Sequence, residues 1–354
     1  MSRFGRLTER LGEGLMAAWY GDAAWLGLLR PLEALYRRQV TRRLVDFQSG
    51  KGSVHHPGVP VIVVGNLTLG GTGKSPLVAW LARHLAEQGY RPGILSRGYG
   101  GESEEYPLRV SEATPVEACG DEPLMLAAQT GVPVVVDPRR ARGAERLLDE
   151  GCDILISDDG LQHLALGRDL ELVVVDGQRG FGNGRCLPAG PLREPLSRLE
   201  SVDALVVNGA EPDEVAGAEG AGQRFTMTLK PVGWRRLTDD ARLPLSPLPF
   251  ARAVHGLAGI GNPPRFFATL EGLGLRVTPH PKPDHHRFTP EDLRFDDEAP
   301  VVMTAKDAVK CRGFADARCW ALDVEAHPSA GFIEWFATQL DALTRVAQGE
   351  DNDG

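Results

Sequence analysis

The sequence predicts an α/β fold: a mostly parallel β-sheet covered by helices on both faces. Three observations predict it. Apolar, β-branched runs recur at Val61–Val64, Ile154–Ile156, Leu170–Val175 and Ala204–Val207. They lack the polar alternation of a half-exposed sheet, as expected of strands buried on both faces. Runs with helical periodicity alternate with them, which implies parallel crossovers. Finally, the first strand passes through a glycine-rich turn straight into a helix that opens Lys-Ser.

That first unit, VIVVGNLTLGGTGKS over 61–75, has the layout of a phosphate-binding loop. Backbone N–H groups of Gly70, Gly71, Thr72 and Gly73 are placed to wrap a triphosphate at a helix N-terminus, where the dipole favours negative charge. Lys74 is expected to reach the β- and γ-phosphates and the Ser75 hydroxyl to hold Mg²⁺. Thr68 stands where the pattern usually has its first glycine. Pro76 suits the first helical turn, Leu77, Val78, Leu81 and Leu85 form the buried stripe, and Gly89 ends the helix.

Further along, Ile94–Ser96 reads as a strand entering a second glycine turn, Arg97 to Gly101, followed by an exposed acidic loop at 102–105. Gly120-Asp121-Glu122-Pro123 opens a helix, where two carboxylates can serve simply as caps. Val132–Asp137 is a strand and Arg139–Glu150 a helix. The strand from Cys152 ends in Asp158-Asp159, resembling a Walker B strand in which a carboxylate bonds Mg²⁺ or its waters. Together with the phosphate loop it makes the sheet P-loop NTPase-like, with ligands expected beyond the carboxyl ends of its strands. The Gly- and Pro-rich segment from Arg179 to Pro195 predicts a shaped, functional loop.

Composition sets the wider organisation. The stretch 209–250 is rich in Gly, Pro, Asp and Glu, so a linker is placed at 216–250. It separates a kinase-type domain at 46–215 from a smaller C-terminal α/β domain at 251–347, with a disordered tail at 348–354. In the smaller domain, strands are expected from Ala253, at Pro300–Thr304 and at Cys319–Val324, with helices at 264–272 and 332–346. Adjacent His285 and His286 lack partners at metal-ligand spacing, but a role as base or substrate contact fits a polar loop. Thr304-Ala305-Lys306-Asp307 has threonine where a guanine-reading motif requires asparagine, so guanine specificity is not inferred.

A formal charge of −9 argues against a general nucleic-acid binder. Five scattered cysteines without a C-x-x-C read as reduced thiols in a cytosolic protein, and no signal peptide is evident. Residues 1–43 stand apart, with eight arginines and four acids giving +4 and leaving −13 for the remainder. Between the basic clusters lies an apolar stretch carrying Trp19, Tyr20, Trp25 and Tyr36, interrupted by Asp22, Arg30, Pro31 and Glu33. It is therefore not a bilayer span. Two readings stay open: a helix of about residues 1–45 lying in a membrane interface, or an amphipathic helix packed on the protein's own core.

Taken together, GNLTLGGTGKSP, SRGYGG, GDEP, SDDGLQH, RDLELVVVD, FGNG, LPAGPLREP, the DHH loop and TAKDAVKC resemble, in this order, the tetraacyldisaccharide 4′-kinase family. Thr68 is usual there, and Ser75 stands where threonine is common. The resemblance implies ATP- and Mg²⁺-dependent phosphorylation of the 4′-hydroxyl of a lipid-linked glucosamine disaccharide 1-phosphate. It implies phosphate contacts at Lys74 and Ser75, an acidic metal-side pair at Asp158 and Asp159, and a catalytic Asp121 with His285 as its partner across a domain cleft. Arg193 is implied as a further charge-stabilising residue, and Tyr99, Glu122, Gln162, His163 and Glu194 as further active-site positions. It also implies a peripheral or monotopic protein on the cytoplasmic face of the inner membrane, meeting anionic lipid through residues 1–43, with no nucleic acid and no obligate protein partner. The alternative is a P-loop ATPase of the partitioning or metal-insertion type. Those often carry lysine before the paired glycines, where this chain has Leu69, and metal insertion would want a cysteine motif, which is missing.

Overall fold

A computed structural model describes residue 12, residues 14–21 and residues 23–348. The tail at 349–354, the first eleven residues, Glu13 and Asp22 lie outside the described residues, so the basic cluster of Arg3, Arg6 and Arg10 does too.

In chain order the main elements are α1 (Arg30–Gln48), β1 (Val61–Gly65), α2 (Lys74–Glu87), β2 (Pro92–Ser96), β3 (Leu108–Val110), α3 (Asp121–Thr130), β4 (Val134–Val136), α4 (Arg140–Asp149), β5 (Ile154–Asp158), β6 (Leu170–Asp176) and β7 (Ala204–Asn208). They continue with β8 (Arg224–Arg236), β9 (Arg242–Leu243), β10 (Ala253–Ala258), α5 (Pro263–Gly272), β11 (Arg276–Pro281), β12 (Val301–Thr304), α6 (Ala305–Cys311), β13 (Cys319–Pro328) and α7 (Ala330–Gln348).

The compact units interleave along the chain. One comprises residues up to Lys74, Asp153–Thr228 and the chain from Pro328; the other comprises Ser75–Cys152 and Leu229–His327. In the first unit, β5, β1, β6, β7 and the start of β8 pair side by side, all parallel. Every residue of β1, β5, β6 and β7 is buried, which is why these strands read as continuous apolar runs. In the second unit β2 pairs β4 in parallel and β3 closes that edge antiparallel. A second parallel set runs β11–β10–β12–β13, and α3 packs against α6.

Three differences from the sequence expectation have local causes. The 216–250 stretch holds the thirteen-residue strand β8 in place of a linker; Pro231 and Gly233 and its half-exposed side chains disguise it. β11 (RVTPHP) contains two prolines, tolerable because it pairs only with β10 and so forms an edge. And Asp121 and His285 belong to the same compact unit, not to two domains.

The N-terminal segment has two faces. Trp19 is 4% exposed, donates its indole N–H to Pro188 O at 3.0 Å, and packs with Ala18 and Leu26 against Leu69 and Leu187. On α1, Glu33 accepts from the Cys186 N–H at 3.1 Å and Tyr36 donates to Arg193 O at 2.9 Å. The opposite face leaves Trp25, Leu28, Leu32 and Leu35 between 50% and 82% exposed, with Arg30, Arg37, Arg38, Arg42 and Arg43 also exposed. Among the described residues no helix is long and apolar enough to cross a membrane.

Candidate active site

The first constellation grows from the turn after β1. Gly70 and Gly73 take φ of +105° and +98°, conformations that cost a side-chain-bearing residue strain; at Gly73 a Cβ would also lie 2.6 Å from Asn208 Nδ2. The turn is fastened from both sides. Buried Asn66 donates to Thr68 O at 2.8 Å and Gly70 O at 3.3 Å, and Asn208 donates to Thr72 O at 3.0 Å. The Pro-rich segment before Arg193 runs alongside, with Leu69 N–H on Pro191 O at 2.9 Å and Arg193 N–H on Leu67 O at 2.6 Å. The shaped 179–195 loop therefore buttresses the phosphate loop. Thr68 is 3% exposed and bridges Leu192 in an antiparallel pair; this is the structural use of the position that lacks glycine.

Lys74 opens α2, 8% exposed, with Nζ 3.4 Å from Asp159 Oδ1. Arg193 Nη1 donates to both Asp159 oxygens at 2.9 Å and to Gln162 Oε1 at 3.3 Å. Gln162 in turn donates to Glu194 Oε2 at 3.1 Å. Burial pushes the Glu194 carboxyl above its ordinary range, with Gln162 and Arg198 opposing that shift. Arg198 itself holds Glu171 through two contacts of 2.6 Å. A continuous polar chain thus runs from a buried ion pair to the phosphate-loop lysine. Asp158, 1% exposed, ends β5 in register with Val64 of β1, and Asp159 follows at φ +48°. The His163 carbonyl accepts from Arg168 at 2.5 Å.

The second constellation is built on α3 and the loop after β11. Asp121 is the first residue of α3 and 4% exposed. His285 Nδ1 faces its two carboxylate oxygens at 3.1 and 3.2 Å. His286 is directed elsewhere, to Asp292 Oδ2 at 3.2 Å. His285 adopts φ +58°; among the described residues only Asp159 and Asp240 are the other non-glycine positions with positive φ. Such backbone strain, of order 1–3 kcal/mol, clusters at functional sites. Tyr99, 68% exposed, meets the His285 ring edge-on at 5.0 Å. Glycine makes this approach possible: a Cβ on Gly120 would sit 2.5 Å from Tyr99 O, and Gly98 and Gly101 press on Cys119 O and the Gly120 N–H.

Two lysines that the sequence reading did not single out complete the cluster. Lys306 Nζ contacts Glu122 Oε1 and Asp284 Oδ1 at 3.2 Å each and His285 Nε2 at 3.4 Å. Lys310 Nζ lies 3.5 Å from Asp121 Oδ2 and 2.8 Å from Asp307 Oδ1. Their i, i+4 spacing on α6 puts both ammonium groups on one face, which is the signal the sequence offered. Burial alone would raise the Asp121 pKa, but the His285 hydrogen bond and the charges of Lys306, His285 and Lys310 bring it down to about 2. Burial works against protonated His285, yet its bond to Asp121 leaves the imidazole above its ordinary value.

Comparison with known proteins agrees with the motif order. The family model described as tetraacyldisaccharide-1-P 4′-kinase, LpxK, matches residues 25–341. A protein from Pseudomonas aeruginosa PAO1 named tetraacyldisaccharide 4′-kinase is 50% identical over 332 residues, covering 94% of this chain and 98% of its own. One of the same name from Pseudomonas putida W619 is 49% identical over 334 residues, covering 94% and 97%. Among solved structures, the "apo" form of LpxK from Aquifex aeolicus in complex with ATP superposes with a TM-score of 0.76 at 30% identity, covering 90% of this chain and 99% of that one. The chain belongs to the tetraacyldisaccharide-1-P 4′-kinase family.

Proposed function

We propose that this protein transfers the γ-phosphoryl group of ATP to the 4′-hydroxyl of a tetraacyl glucosamine disaccharide 1-phosphate, giving lipid IVA in lipid A biosynthesis. The observation that carries the reading is the buried, ionised Asp121 held against His285 at 3.1 Å. A sugar hydroxyl is a poor nucleophile, and a positioned base contributes roughly 10²–10⁴-fold. The Asp121–His285 pair takes the hydroxyl proton, the oxygen bonds to the γ-phosphorus, and the bond to the β-phosphate oxygen breaks to release ADP. Gly70, Gly71, Thr72 and Gly73 cradle the phosphates, Lys74 neutralises charge on the transferring group, and Arg193 orients Asp159 and adds positive charge. Tyr99 and Glu122 border the acceptor's base; Gln162, His163 and Glu194 support the donor side.

Ser75, Asp158 and Asp159 supply hard oxygen donors, a set that suits Mg²⁺, which is typically held by one or two carboxylates plus substrate phosphates. Bound with ATP, Mg²⁺ would spread charge from the β- and γ-phosphate oxygens. Incubation of the protein with labelled ATP and the disaccharide 1-phosphate should yield labelled lipid. ATP hydrolysis indifferent to lipid, with no lipid product, would replace this reading with that of an ATPase.

The exposed face of the N-terminal segment supports peripheral attachment to the cytoplasmic face of the inner membrane. Leu28, Leu32 and Leu35 recur at helical spacing, each with ~1.5–3 kcal/mol to gain from full burial, and the exposed arginines favour anionic headgroups. Deleting residues 1–40 would also remove Trp19 and Leu26 from the core, so surface substitution is the cleaner test. A Leu28→Glu/Leu32→Glu/Leu35→Glu variant should release the protein from phosphatidylglycerol-containing vesicles; undiminished vesicle binding would assign that face another role.

A further inference from the structure

We propose that Arg179, in the loop after β6, is a further phosphate-binding residue of the donor site, meeting the terminal phosphoryl group of ATP and held in place by the ring of Tyr20. The inference rests on the reading of 61–75 as a nucleotide loop and adds a residue which that reading leaves out. The Arg179 guanidinium lies over the Tyr20 ring, its carbon 5.6 Å from the ring centre. It also lies beside the glycine turn: a Cβ on Gly70 would stand 3.7 Å from Arg179 Nη1 and 3.5 Å from Met16 Cε. A side-chain hydrogen bond joins Tyr20 to Thr68, so one tyrosine touches both the turn and the arginine. The backbone of Arg179 is fixed as well, its N–H donating at 3.3 Å to Oδ1 of Asp176, the last residue of β6. All of these residues belong to the same compact unit.

Among the described residues the Arg179 guanidinium forms no ion pair or hydrogen bond; its contact is the Tyr20 ring. Stacking orients the guanidinium plane and leaves the N–H donors at its edge available. Half-buried beside a turn that suits anions, such a fork matches phosphate oxygens. Arg193, by contrast, has Nη1 engaged by Asp159 and Gln162. In a loop of this type the helix-side N–H groups cradle the inner phosphates and the lysine reaches outward. Gly70, on the strand side and four residues before Lys74, therefore borders the outer end. During transfer the acceptor oxygen bonds to the γ-phosphorus, its proton passes to the Asp121–His285 pair, and the bond to ADP breaks. Arg179 adds no step; it meets charge on the group in flight. Tyr20 precedes the exposed Leu28, Leu32 and Leu35 in the N-terminal segment, so the segment with the lipid-facing side chains also aligns a donor-site cation.

The test uses the full chain in detergent micelles, with ATP and ADP as binding probes and the disaccharide 1-phosphate as acceptor. Arg179→Ala should weaken ATP binding by roughly 10–100-fold, the worth of one charge-assisted contact, and leave ADP binding in place. With ATP and lipid saturating, kcat should fall by about 10²–10³-fold. Added guanidinium ion should restore part of that kcat, which a merely structural role would not allow. Tyr20→Leu should lower kcat more than Tyr20→Phe, which keeps the ring. A folded Arg179→Ala protein with normal kcat overturns the proposal, and so does one that loses ATP and ADP affinity alike. A Tyr20→Leu protein that turns over like Tyr20→Phe removes the ring from it. Should Arg179→Ala fail to fold, Arg179→Lys carries the same comparison of ATP with ADP, since it keeps the charge but not the planar fork. The binding arms need no lipid. A selective loss of ATP affinity, with no lipid product from the unmodified chain, therefore keeps Arg179 at the donor site and strikes the kinase reading instead.

Discussion

Asp121→Ala is expected to lower phosphotransfer to the acylated disaccharide by roughly 10²–10⁴-fold, while nucleotide binding survives. The loss is one of proton transfer, the step assigned to the Asp121–His285 pair. A stability effect accompanies it and can be separated by pH. The folded pKa of Asp121 is about 2, depressed from 3.8 by His285, Lys306 and Lys310 against the opposing effect of burial. A depressed carboxyl stabilises the fold above its unfolded pKa and loses that contribution as pH falls through the folded value. The contribution is on the order of 2 kcal/mol, fully present at neutral pH and gone below about pH 2. The raised pKa of His285 expresses the same interaction from the other side: present below 6.5, lost as pH rises through the folded value. Melting near pH 7 should therefore report a modestly weakened fold, and transfer measured well below the melting temperature should report the chemical loss. Near-normal transfer by a folded Asp121→Ala protein would remove it from the catalytic role.

What the sequence made legible follows from how each element is buried. Strands β1, β5, β6 and β7 are covered on both faces, so their β-branched runs were unmistakable, and the glycine turn into Lys74 marked the nucleotide end. β8 and β11 escaped notice because Pro231, Gly233, Pro279 and Pro281 are breakers in most settings, yet a partly exposed strand and a sheet edge tolerate them. The short α6 was hidden inside a motif compared with a guanine-reading sequence. Its true start is the Thr304 cap, whose side chain accepts from Asp307 N–H at 3.2 Å. Missing that helix meant missing the common face of Lys306 and Lys310. Asp121 and His285 are 164 residues apart, beyond the reach of any spacing argument. Only the resemblance paired them, and it could not show that one compact unit holds both.

Lys74→Ala is expected to reduce phosphotransfer by about 10²–10³-fold, the usual cost of removing one preorganised charge from a developing phosphoryl transition state. The effect should fall on turnover with both ATP and lipid saturating, because the lysine meets charge that grows during transfer. The fold has little reason to suffer. Asp159, the partner of Lys74 at 3.4 Å, keeps both hydrogen bonds from Arg193 at 2.9 Å, so no carboxylate is stranded without a cation. The turn that precedes the lysine is held by Asn66, Asn208 and the Pro191–Arg193 backbone, none of which depends on the ammonium group. Lys74→Arg supplies the control: it restores charge but not the compact point donor that fits a phosphate cradle, so it should recover only part of the rate. A Lys74→Ala protein with normal melting and undiminished transfer would mean that the loop binds its phosphates without the lysine, and the donor site would have to be sought elsewhere.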